Sequence, residues 1–300
     1  GSLCLFAVCI LIVGAFQSSV RAQEPVFILE DMDEGMVIGQ RAKGEWGHFW
    51  SGPAVTGINL GYLAEHGYPE FVVDRNGNGN IDIDDLVRPV DRLGGEDYMM
   101  TDPDRGTSDP DLLRGLAKYV NEKYPDEFKI KVYEDGFPGE YAEETGEDLP
   151  EELFGVPVEV FTDPEFPVYE RELRGGEMLW LGVPQENTDY NHFLAGRSFD
   201  TRENISGNFP VDFADPREES FQPGKGQIIE TEMTAVGDLM YEDEMRPIDI
   251  MIALSPLEKE AGEAETTGGP NLTCDASCQV LTEEVCVQYE EGESVCTDWN

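Results

Sequence analysis

Three features of the sequence predict an α+β fold: two well-marked helix signals early in the chain, a succession of short strand signals later, and enough apolar side chains for one core of domain size. Hydrophobic residues make up 40% of the 300, including 15 Phe, 11 Tyr and 4 Trp. The strong acidity therefore belongs to the surface of a packed globule and does not mark a disordered chain. A helical half followed by a sheet half is the α+β arrangement.

The first helix is expected over residues 52–64. Pro53 stands near its first turn, where a missing N–H costs nothing, and the small residues Ala54, Gly57 and Gly61 would let a buried helix pack closely. The second helix follows Thr107 and Ser108, hydroxyl caps with an acid three positions on. After them Leu112, Leu113, Leu116, Tyr119 and Val120 recur at helical spacing. Six runs bounded by Gly, Pro or Asp are expected as strands of a largely antiparallel sheet: 128–133, 177–183, 192–199, 209–214, 227–236 and 248–254.

The ends of the chain differ in character from this middle. Residues 3–16 are continuously apolar and are followed by Ser18, Ser19, Val20, Arg21 and Ala22, which predicts a signal peptide over 1–22 and a secreted protein. Fourteen apolar residues fall short of the roughly 20 that a spanning helix needs, so no membrane association is expected of the mature form. A main domain over 23–257 would then be followed by a polar, acidic linker over 258–270 and a tail over 271–300. Four cysteines, Cys274, Cys278, Cys286 and Cys296, crowd into that tail. In an exported chain they predict two disulfides with three pairings open. Their irregular spacing and lack of an accompanying His argue against zinc.

The formal net charge is −43, from 63 acidic and 20 basic residues. Such a surface repels nucleic acid and anionic membranes and argues against both as partners.

The most specific motif is a 12-residue loop over 74–85. Asp74, Asn76, Asn78, Asn80, Asp82 and Asp85 fall at positions 1, 3, 5, 7, 9 and 12 of an EF-hand-type calcium loop, with Asn80 contributing its backbone carbonyl. Gly79 takes the sixth position, where the chain must turn sharply, and Ile81 the apolar eighth. Asp in place of Glu at position 12 gives the loop a resemblance to dockerin and other extracellular calcium loops. One loop with neutral Asn at two ligand positions implies bound Ca2+ as a structural staple.

A second constellation begins at Trp50-Ser51-Gly52-Pro53-Ala54. The segment resembles the Trp-Cys-Gly-Pro-[Ala/Thr] motif that opens the first helix of C39-like peptidases, a branch of the papain-like fold, with Ser51 at the cysteine position. Tyr190-Asn191-His192-Phe193 resembles the strand that brings that family's catalytic His, and Phe213-Ala214-Asp215-Pro216 the strand end that supplies the orienting acid or amide. The resemblance spans roughly residues 40–254. It implies a papain-like cysteine-peptidase fold, with an N-terminal helical half and a C-terminal antiparallel sheet, followed by a small disulfide-rich tail. A helix N-terminus suits a nucleophile because its partial positive charge favours a thiolate and a developing oxyanion.

Two departures weaken the chemistry the resemblance implies. Ser51 replaces a thiol of pKa about 8.5 with a hydroxyl that does not ionise, so no thiolate–imidazolium pair can form. The family's oxyanion-hole Gln, six residues before the nucleophile, falls at Glu45, whose carboxylate would repel an oxyanion. The expectation is a catalytically impaired, calcium-stabilised peptide-binding pseudoenzyme. The alternatives are an active extracellular hydrolase using Ser51, His192 and Asp215, or a calcium-dependent structural or adhesive surface protein.

Overall fold

The computed structural model describes residues 25–40, 49–162, 164–185, 190–218 and 224–257, with the backbone of 284–288 and 294–298. The expected signal peptide, Glu45, the expected linker, Cys274 and Cys278 lie outside the described residues. No described helix is long and apolar enough to cross a membrane.

The chain divides into two compact units between Leu257 and Glu258. In the first, strand β1 (Val26–Ile28) precedes three helices: α1 (Ser51–Glu65), α2 (Ile83–Leu93) and α3 (Asp109–Lys123). Strand β2 (Phe128–Tyr133), helix α4 (Phe137–Thr145), strands β3 (Glu152–Leu153) and β4 (Val156–Phe161) and helix α5 (Phe166–Arg174) follow. The remainder is strand: β5 (Met178–Pro184), β6 (Asn191–Asp200), β7 (Phe209–Asp215), β8 (Gln227–Met233), β9 (Asp238–Tyr241), β10 (Glu244–Pro247) and β11 (Ile250–Pro256).

These strands form one 11-stranded sheet in the order β10-β9-β8-β7-β6-β5-β11-β2-β4-β3, with β1 also on β6. The α+β expectation holds at that level, but the separation into a helical and a sheet half is only partial, because α4 and α5 lie between strands. The sheet is antiparallel throughout except where β2 runs parallel to β4, with Ile130 opposite Val158. All six expected strands form, with ends shifted by a residue or two. The exception is the run over 227–236, which stops at Met233 because the chain turns through Gly237 at φ +94°.

Helix α1 is the centre of the packing and is buried on nearly every face, as a helix apolar all round must be. Two hydrogen bonds pin it to β5: Trp180 Nε1–H donates to Thr56 Oγ1 at 2.9 Å, and Asn59 Nδ2 donates to the Leu179 carbonyl at 3.0 Å. On its other side α2 comes so close that a Cβ at Gly57 would lie 2.4 Å from Val90 Cγ2, and one at Gly61 2.9 Å from Leu86 Cδ2. Gly57 and Gly61 are therefore required by contact with α2. Helix α3 begins as expected, with Ser108 Oγ accepting from the Asp111 N–H at 3.2 Å.

In the second unit the antiparallel strands β12 (Glu284–Gln288) and β13 (Ser294–Asp298) place Cys286 and Cys296 at the same register position.

Candidate functional site

The strands that flank α1 bring the sequence-predicted triad residues into one region. Ser51 is the first residue of α1, His192 the second of β6 and Asp215 the last of β7, and all three are buried. Helix α1 packs against β6, and the contact is direct: the Phe193 N–H, next in chain to His192, donates to Ser51 Oγ at 3.3 Å. The N-terminus of α1 has no side-chain cap and no acidic residue in its first turn. Its positive end is therefore left facing the region where Ser51 sits.

His192 Nε2 lies 2.7 Å from Asp215 Oδ1. Asp215 is only 1% exposed, yet all its acceptor needs are met. The Arg217 N–H also donates to Oδ1 at 2.7 Å, and the Tyr241 hydroxyl donates to Oδ2 at 2.9 Å. Burial pushes this carboxyl up, but the neighbouring His192 and these hydrogen bonds outweigh it and hold Asp215 below the ordinary carboxylate range. An ionised Asp215 accepts only, so Nε2 carries the proton that faces it, and in the neutral ring Nδ1 keeps its lone pair. The Tyr241 ring, 5.8 Å from the His192 ring between centroids and nearly parallel to it, fixes the imidazole further. Burial and the negative Asp215 push the Tyr241 hydroxyl up, which keeps it a donor.

Among the described residues no hydrogen bond joins Ser51 Oγ to the His192 ring. The serine hydroxyl accepts from the Phe193 N–H. A Ser–His relay operates with the base within hydrogen-bond reach of the hydroxyl, and here the hydrogen bonds hold His192 on Asp215 and Ser51 on the Phe193 N–H. Sequence reasoning missed Tyr241, which stands near no motif residue in the chain, and the Phe193 N–H, a backbone donor whose partner depends on how β6 packs on α1.

The expected calcium loop folds as a closed turn leading into α2. Asp74, at position 1, accepts from the Gly77 N–H at 2.6 Å and the Gly79 N–H at 2.8 Å. Asn76 and Asn78 both direct their amide nitrogens at Asp82 Oδ2, at 3.0 and 2.8 Å, and the Asn80 N–H reaches Asn78 Oδ1 at 2.8 Å. Asp85 is buried and closes the loop by accepting from the Arg75 and Asp82 N–H groups, at 2.8 and 3.2 Å. Asp82 and Asp85 also form a reciprocal capping box on α2. The Ile81 N–H is taken by Glu65 Oε1 at 2.6 Å, so the end of α1 braces the loop.

A slight desolvation raises Asp82, but the Asn76 and Asn78 amides and two backbone N–H groups prevail and hold it below the ordinary range. The donor set is all oxygen and suits a hard cation.

A further acidic group was not anticipated from sequence. Asp109, Glu134 and Glu140 each place a carboxylate oxygen so that all three lie within 4.8 Å of one another. Burial, reinforced by the Glu140 carboxylate, pushes Asp109 well above the ordinary range and Glu134 up to about 9. With 63 acidic residues in the chain, these three carried no contrast in the sequence.

Compared with protein-family models, with curated proteins and with solved structures, the chain matches none.

Proposed function

We propose that this is a secreted protein on a papain-like, C39-like scaffold that binds peptide but does not cleave it, because Ser51 occupies the place of the nucleophilic cysteine. The observation that carries this reading is the buried His192–Asp215 pair beside the uncapped N-terminus of α1, in the chain order nucleophile position, His, acid. Taking such a pair out of water carries a desolvation cost, and buried, charge-perturbed pairs of this kind cluster at functional sites. With cysteine at position 51, the helix end and the His192 ring would favour a thiolate. A serine hydroxyl gains little from the helix end alone, because it does not ionise as a thiol does.

Calcium enters as a staple. Asp74, Asn76, Asn78, the Asn80 carbonyl, Asp82 and Asp85 would hold the ion, whose charge would gather the carboxylates of 74–85 and fix the start of α2. Because α2 packs on α1 through Gly57 and Gly61, a firm loop steadies the helix that presents Ser51.

The wild-type protein in calcium tests this reading when it is exposed to a fluorophosphonate and to a mixed peptide library. We expect no serine adduct and no new peptide termini by mass spectrometry, together with saturable peptide binding that weakens at least fivefold in His192→Ala. Cleavage by the wild type that disappears in His192→Ala would establish the serine hydrolase instead.

A further inference from the structure

The Asp109–Glu134–Glu140 cluster is assembled from three separate elements. Asp109 is the first residue of α3, Glu134 directly follows β2 and Glu140 lies in α4. Asp109 is only 7% exposed. Its Oδ2 accepts from Asn191 Nδ2 at 2.8 Å, while its Oδ1 is buried without a hydrogen-bond partner. Glu134 Oε2 is buried without a hydrogen-bond partner in the same way, although Glu134 and Glu140 share a side-chain hydrogen bond. Among the described residues no Lys or Arg pairs with any of the three, and the carboxylates of Asp249 and Glu144 add to the negative field around them.

The same protein handles carboxylate crowding differently elsewhere. Glu172 and Glu177 also meet in the interior, but Lys131 Nζ lies between them, 2.6 Å from one and 2.8 Å from the other, and Arg171 pairs with Glu172 at 2.5 Å. That cluster carries its cation in the sequence. Both clusters leave a buried carboxylate oxygen without a hydrogen-bond partner, Glu177 Oε2 in the one and Asp109 Oδ1 and Glu134 Oε2 in the other, but the Asp109 cluster has no side-chain cation among the described residues.

We propose that Asp109, Glu134 and Glu140 bind a calcium ion, at a site separate from the 74–85 loop, that ties the start of α3 to β2 and α4. Carboxylate oxygens alone specify a hard cation. Ligands at 2.3–2.6 Å from calcium lie at most about 5 Å apart, which the observed 4.8 Å limit satisfies. Glu140 is exposed and opens the site to solvent, whereas Asp109 is buried and held in orientation by Asn191, as outer groups commonly orient a ligand. Asn191 immediately precedes His192, so the ion would also steady the strand end that carries the candidate site.

The test counts calcium on the full chain after chelation, by isothermal titration, and follows thermal unfolding with and without calcium. Three proteins are compared: wild type, Glu134→Gln/Glu140→Gln, and the loop variant Asp74→Asn/Asp82→Asn. The cluster variant is expected to bind one calcium fewer than wild type. It should melt higher than wild type in calcium-free buffer, where the repulsion is gone, and gain less on adding calcium. The loop variant should retain the cluster's ion. The single Glu140→Gln, at an exposed position, serves should the double variant not fold, and is expected to weaken the same ion at least tenfold. A folded cluster variant that binds as many ions as wild type, with the same calcium-induced rise in melting temperature, would overturn the proposal. So would a loop variant that binds none.

Discussion

Asn191 and His192, consecutive on β6, each hold a buried aspartate, and the two carboxylates are provided for in opposite ways. Asp215 receives His192, the Arg217 N–H and the Tyr241 hydroxyl, and it stays ionised although almost no water reaches it. Asp109 receives only the Asn191 amide, has one oxygen orphaned and faces further carboxylates. A buried carboxylate with a full complement of donors is a fixed charge that can orient a partner. One without them takes up a proton or a cation, and the difference marks Asp215 as part of a positioning device and Asp109 as part of a binding site.

The largest effect should come from breaking the satisfied side of this comparison. Asp215→Ala leaves His192, the Arg217 N–H and the Tyr241 hydroxyl buried without their acceptor, and is expected to cost roughly 3–5 kcal/mol of stability, the usual consequence of removing one member of a buried pair. Tyr241→Phe withdraws a single donor and should cost about 1.5 kcal/mol, as for a hydrogen bond to a charged group. Urea unfolding curves would check both, and an Asp215→Ala loss no greater than that of Tyr241→Phe would contradict the ranking.

The smaller effect is in the pH dependence, where the two carboxylates should pull in opposite directions. Asp215 lies below its ordinary 3.8, so the folded state binds its proton less tightly than the unfolded state. Its contribution is present above about pH 4 and is lost as pH falls further. Glu134 is raised from 4.5 to about 9, so the folded state binds that proton more tightly, and its contribution is lost as pH rises between those values. In calcium-free buffer the urea midpoint of the wild type should therefore decline from pH 5 to pH 9, and Glu134→Gln should flatten that decline. A wild-type midpoint that does not fall over this range would remove the unsatisfied cluster from the account.

Much of this architecture was legible where a boundary signal coincided with a periodic run. The hydroxyl cap at Ser108 and the leucines behind it marked α3, and glycines, prolines and acids bracketed the six expected strands. Helices α4 and α5 were missed although both begin Phe-Pro, at Phe137-Pro138 and Phe166-Pro167. Pro in a first turn is a helix-start signal, but each helix has only nine residues, too few for an apolar stripe to stand out. Helix α2 was hidden because its capping acids Asp82 and Asp85 are also loop residues and Pro89 lies inside it.

The site divides along the same line. Ser51, His192 and Asp215 could be chosen by their neighbours in the chain and their order along it. Tyr241 reaches Asp215 from a strand 26 residues further on, and Asp109, Glu134 and Glu140 meet only because α3, β2 and α4 do. Contacts between elements that share no local motif are set by packing, to which spacing along one chain is blind.

The central claim is that a papain-like site survives around a lost nucleophile, and Ser51→Cys tests it most directly. The variant and its His192→Ala counterpart, both in calcium and both shown to be folded by circular dichroism, would be treated with a thiol-directed peptidase probe, and labelling of residue 51 followed by mass spectrometry. The account predicts rapid labelling of Ser51→Cys that slows at least a hundredfold when His192 is removed. Equal labelling rates in the two folded proteins would contradict it, because the helix end and the imidazole would then confer no reactivity on a cysteine placed between them.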